Sequence, residues 1–180
     1  MINKKADIWI SAVLYIALGI IVIALLLASS LPLIDKIKDR NTFSETKQLL
    51  LTLDDTIKIV AKEGPGSQRE LSPLTINKGQ LFINPIDNTI TWKMKTSAAI
   101  LEPDVPIKEG VLSLLEAKTP VVSEYVLSIR LNYEDYVDLQ LQSDFQSPFS
   151  GRYSALVQHT GSYTTGDSGE TYPIIKIKIL

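Results

Sequence analysis

From Ile8 to Ile34 the chain runs 27 residues with no ionisable side chain other than the phenol of Tyr15, and Asp7 and Asp35 bound it. Ile, Leu, Val and Ala occupy every helical face, with Trp9 and Tyr15 near the start. At roughly 1.5 Å per residue such a helix extends about 40 Å, more than a hydrocarbon layer of about 30 Å. A helix that is apolar all round has to be covered all round, by lipid or by other helices. The polar remainder after residue 34, about 145 residues, is enough for one ordinary domain with a connecting helix.

The flanks of this stretch admit three readings. Lys4-Lys5-Ala6 ahead of an apolar run fits a secretory signal peptide, although an apolar core of about 7 to 15 residues is usual there. It fits an uncleaved signal anchor equally. It also fits a leader cut ahead of the apolar run, which leaves the run on the mature chain. Lysines on one side face Lys36, Lys38 and Arg40 on the other, so flanking charge does not decide orientation. The short head predicts an N-terminus inside and the bulk of the chain outside.

Pro32 predicts a kink, because a proline inside a helix removes a hydrogen bond. Beyond Asp35 the composition turns polar while helical spacing persists to residue 63. Phe43, Leu50, Leu53, Ile57 and Val60, with Ala61, recur at steps of three, four and seven, a stripe predicted to pack on whatever follows. Asp54 and Lys58 add an i,i+4 pair in the favourable order. Thr42-Phe-Ser-Glu45 has capping-box form, which predicts a break near Asn41 as an alternative to one continuous helix. Gly64-Pro65-Gly66 ends the helix.

The rest alternates like strands. Residues 80–84 and 89–96 read as a hairpin across Pro85-Ile-Asp-Asn88. Residues 107–123 are open between a short helix and an edge strand. Residues 125–132 and 136–142 alternate across a Tyr-Glu-Asp turn, and 151–159 with 172–180 form a last pair across a polar loop at 161–169. The expected fold class is α+β, a long hydrophobic helix and then an antiparallel β-sandwich-like head or small barrel over 71–180.

Little in the chain suggests chemistry. Lys plus Arg number 18 against 20 Asp plus Glu, which gives no field for nucleic acid. Without cysteine there is no thiol catalysis, disulfide or thiolate metal site. The only histidine, His159, reads as a polar strand residue. Glu134, Asp135, Asp138 and Asp144 carry oxygen ligands suited to a hard cation, but their spacing is not that of a calcium loop, so they read as solvated hairpin charges. Asp167-Ser-Gly-Glu170 reads as a loop tip. Six tyrosines between Tyr125 and Tyr172 read as strand packing, with any exposed ones suited to adhesion. No nucleophile elbow or phosphate loop occurs, and no enzyme, cofactor or metal is expected.

With these residues in view, Lys4-Lys5-Ala6, Asp7 and the apolar helix resemble the class III signal peptide of archaeal type IV pilins. Val60–Leu71, Lys78-Gly-Gln-Leu81, Asn88–Trp92 and Gly151-Arg-Tyr153 resemble the helix exit, first hairpin and last hairpin of pilin-like proteins. The resemblance implies cleavage after Ala6, so a leader at 1–6, a transmembrane and filament-core helix at 7–34 and an amphipathic continuation at 35–63. It implies a prepilin peptidase, an assembly ATPase and a membrane platform protein as partners. The implied course is membrane insertion and then an extracellular filament of like subunits, for adhesion or surface contact. Many pilins carry Glu at the fifth mature position, which is Ser11 here. Small residues at Ala12, Ala17, Gly19, Ala24 and Ala28 allow close helix approach. The rival expectation is a single-pass anchored extracellular binding module.

Overall fold

The computed structural model describes residues 4–144, 147–166 and 169–180. Among these residues there is one helix, α1 (Lys4–Glu63), followed by eight strands: β1 (Gln68–Asn84), β2 (Thr89–Thr96), β3 (Ile107–Glu109), β4 (Leu112–Lys118), β5 (Tyr125–Asn132), β6 (Asp138–Ser143), β7 (Phe149–Thr165) and β8 (Thr171–Ile179). The chain divides into two compact units, 1–39 and 40–180.

Within the second unit, Phe43, Leu50, Leu53, Ile57 and Val60 of α1 are all buried and share one cluster with Leu81, Trp92, Ile129 and Ile177 of the strands. The helix runs through Pro32, Asn41 and Thr42, so the break expected near Asn41 is not formed. The reason is visible one turn on. Phe43 and Thr46 are buried on the side that carries Leu50, and a break at Thr42 would take them off that surface. A capping box helps only where the backbone has already left the helix.

Gly64, at φ 88°, terminates α1 as expected. The Ser67 hydroxyl is 2.9 Å from the Val60 carbonyl oxygen and 2.8 Å from that of Gly64, which supplies a partner to the helix's last carbonyls. The Ser67 carbonyl then accepts the His159 N–H at 2.9 Å, tying the helix exit to β7.

The strands make a single sheet in the order β3-β4-β5-β2-β1-β7-β8-β6, antiparallel except for β6 beside β8. This replaces the two packed sheets of a sandwich. The β1 and β7 strands are 17 residues each, and β1 pairs with β7 through its first half and with β2 through its second. One long strand thus joins the two halves through backbone hydrogen bonds. The β1–β2 and β7–β8 pairs occur as expected, although β7 continues to Thr165, through much of the expected loop. Residues 107–118 resolve as β3 and β4 around Gly110, at φ 59°. The expected pairing of 125–132 with 136–142 does not occur. In its place β5 lies between β4 and β2, and β6 lies at the far edge beside β8. The Tyr-Glu-Asp segment is a corner, with the Tyr133 carbonyl accepting from Tyr136 and Val137 and with Tyr133 and Val137 both buried.

Candidate functional site: an uncovered apolar helix

The first unit holds the chain's most unusual surface. Every residue from Ser11 to Ala28 is exposed on α1, among them Leu14 at 64%, Ile16 at 65% and Leu25 at 64%. Helical propensity alone explains little of a helix like this, since most helical stability in proteins comes from burying a face. Here no face is buried and all faces are apolar. It is a helix long and apolar enough to cross a bilayer.

Two hydroxyls near the end of the stretch are neutralised locally. Ser29 Oγ donates to the Leu25 carbonyl at 3.0 Å and Ser30 Oγ to that of Leu26 at 2.7 Å, so each hydroxyl is satisfied within its own helix. Nothing lies within 4 Å of the position a Cβ would take on Gly19, so this glycine leaves an open notch. Trp9 and Tyr15, each 76% exposed, stand at the N-terminal end. Aromatic residues with one polar edge are common where apolar and wet regions meet.

The five small residues do not form one stripe. At about 100° per residue, Ala12 and Gly19 share one line along the helix while Ala17, Ala24 and Ala28 share another, about 150° away. Such a helix offers close approach on two nearly opposite sides.

The leader residues Lys4, Lys5, Ala6 and Asp7 open α1, and Met1 to Asn3 lie outside the described residues. Pro32 lies within α1. Glu134 and Asp135 are exposed at the corner after β5, and Asp138 begins β6. Among the described residues no three acidic or imidazole side chains are placed to share a metal. Of the expected loop tip, Asp167 and Ser168 lie outside the described residues, and Glu170 accepts a hydrogen bond from the Tyr172 hydroxyl at 2.7 Å.

His159 is a core residue. It is 1% exposed, its Nδ1 accepts the Gly161 N–H at 2.9 Å, and its ring meets Tyr163 edge-on at 5.5 Å. Its Nε2 has no partner. Two buried polar groups are not evident from the sequence. The fully buried Glu116 accepts the N–H groups of Ile100 and Leu101 on Oε2 at 2.9 and 2.7 Å, while Oε1 has no partner. Asp54 is 4% exposed and pairs with Lys58 at 2.6 Å. Near it lies the buried hydroxyl of Tyr133. Burial first, and then the carboxylates of Asp54 and Asp55, push the pKa of that phenol far above its usual range. These groups are enclosed in the fold, where a substrate would not reach them. Comparisons with protein-family models, curated proteins and solved structures give no match to this chain.

Proposed function

We propose that this protein is a non-enzymatic subunit of an extracellular, type IV pilus-like filament. The observation that carries the reading is the contrast along one helix. Residues 11–30 of α1 bury nothing, while residues 43–60 contribute five large apolar side chains to the core of the second unit. The second unit is therefore complete in its own packing, and the first is left with apolar surface on every side. In a bilayer that surface meets lipid, and the helix satisfies its own backbone. In a filament the same surface meets other copies, with no change of sequence. Small residues on two sides suit a helix with neighbours on more than one side.

On this reading a prepilin peptidase cuts after Ala6, and an assembly ATPase with a membrane platform protein draws subunits from the membrane. The β unit is presented to the surroundings for adhesion or surface contact. Electron microscopy of material sheared from cells that express the protein, with intact mass of the subunit, tests this. Filaments built of a chain that starts at Asp7 are expected. Full-length chain held in the membrane, with no filaments, would favour an anchored binding module.

A further inference from the structure

We propose that the outer face of the sheet, over β3, β4, β5, β2 and β1, binds an acidic polysaccharide. Residues directly opposed in an antiparallel ladder share a face. One row across the sheet therefore reads Lys108, Ser113, Arg130, Thr91, Phe82. The next reads Gln80, Lys93, Ser128, Leu115. Their neighbours along each strand, such as Leu114, Ile129, Trp92 and Leu81, point into the core. The rows frame two adjoining clefts of about 410 and 240 Å³ that share Thr91, Lys93 and Arg130.

Charge argues for an anion. Lys93, Lys108 and Arg130 have no carboxylate partner among the described residues, although Lys95 and Lys118 on the same strands are paired with Glu124 at 3.1 Å and Asp104 at 3.5 Å. Lys93 Nζ stands 5.6 Å from the centre of the Phe82 ring, which holds it over the cleft. The one acid at the rim among the described residues, Asp87, is engaged by Asn84 Nδ2 at 2.6 Å. On a chain with formal charge −2 this is a local concentration of free cations.

A peptide strand would seek backbone partners, and the central strands here have spent theirs on each other. What remains between the separated cations is the exposed hydroxyl of Ser113, with the oxygen of Ser128, which donates to the Leu115 carbonyl at 3.1 Å, left to accept, and the buried Thr91 at the floor of both clefts. That pattern matches a polymer with a carboxylate and several hydroxyls on each unit. The guanidinium of Arg130 takes a carboxylate on two N–H groups, and Lys93 takes the next as a point charge.

The inference does not depend on filament formation, so the full chain in detergent micelles serves for the test. Retention on immobilised polygalacturonate is expected, with release when the carboxylates are methyl-esterified. Lys93→Ala/Arg130→Ala should weaken binding by about tenfold or more, as removal of a charge-assisted hydrogen bond does. Lys36→Ala/Lys62→Ala removes equal charge elsewhere and should bind as the parent does. Unchanged binding by the first double variant at an unchanged melting temperature would overturn the proposal. So would equal retention on the methyl ester, or tighter binding to polyglutamate or single-stranded DNA.

Discussion

The indole N–H of Trp92 donates to the carbonyl of Lys78 at 3.0 Å, and this bond fixes the place where β1 passes from one partner to the other. The register of β1 shifts between Ile76 and Leu81, and Gly79 sits in that shift at φ 83°. A Cβ there would stand 2.5 Å from the Lys93 carbonyl oxygen and 2.9 Å from the indole nitrogen itself. Gly79→Ala is therefore expected to cost at least about 1–3 kcal/mol from backbone strain alone, with the clash added. Thermal melting followed by circular dichroism reads it, and an unchanged melting temperature would refute the account of the bulge.

Leu53 is 1% exposed, and Ile59, further along on the other side of the helix, is 42% exposed. Leu53→Ala should cost about 2–5 kcal/mol, the range for emptying a packed core site. Ile59→Ala should stay within about 0.5 kcal/mol, as an exposed site does. A chain starting at Arg40 should fold as a soluble β-rich species and show the same difference in denaturant unfolding.

Glu116 holds the segment at Ile100 and Leu101 through one oxygen. Glu116→Ala leaves two backbone N–H groups without that acceptor, at about 1–3 kcal/mol for each one left buried and unpaired. Hydrogen exchange should quicken at Ile100 and Leu101 before it does at the Trp92 backbone. Equal protection at both places would count against the clamp.

Tyr133 gives a pH dependence with a definite sign. Its folded phenol holds its proton well above the ordinary value of 10, so above that pH the unfolded chain releases a proton that the folded chain keeps. The contribution is fully present below pH 10 and is lost as pH rises beyond it. Unfolding free energy should fall more steeply above pH 10 in the parent than in Tyr133→Phe. At neutral pH that variant should cost no more than about 1.5 kcal/mol, what a single neutral hydrogen bond contributes. Identical slopes for the two proteins would remove Tyr133 as the source.

Several of these features can be read in the residues, and others only in their pairing. Alternation puts Leu81, Ile83, Ile90 and Trp92 on one face, because a period of two follows from strand geometry whatever the partner. The same rule puts Glu116 inward with Leu112 and Leu114, and that signal is hidden only while residues 107–123 stay open between helix and strand. Partner choice is another matter. Tyr133-Glu-Asp has hairpin composition, yet the burial of Tyr133 and Val137 turns the chain away toward β8. Thr42 has the chemistry of a cap, but Phe43 already stands in the apolar stripe that the sequence shows, and its burial together with Thr46 outweighs the cap. Seven-residue spacing is likewise legible in Ala12 and Gly19 and in Ala17 and Ala24, while their separation onto two sides emerges only when the helix is wound.

That separation gives the sharpest test of the proposed filament. Ala24→Leu raises hydrophobicity, so insertion into a membrane should be unaffected. It also adds bulk where a neighbouring helix is to approach, and overpacking a close contact costs about 1–3 kcal/mol. Ala12→Leu does the same on the other side of the helix. Val22→Leu lies on neither line and adds a single methylene. If both lines are polymerisation contacts, Ala12→Leu and Ala24→Leu should each lower the yield of sheared filaments while processed subunit accumulates in the membrane fraction. Val22→Leu should assemble like the parent. A fall for only one of the two alanines would assign the contact to that side. Equal yields from all four chains would mean that the helix packs in the filament without using its small residues.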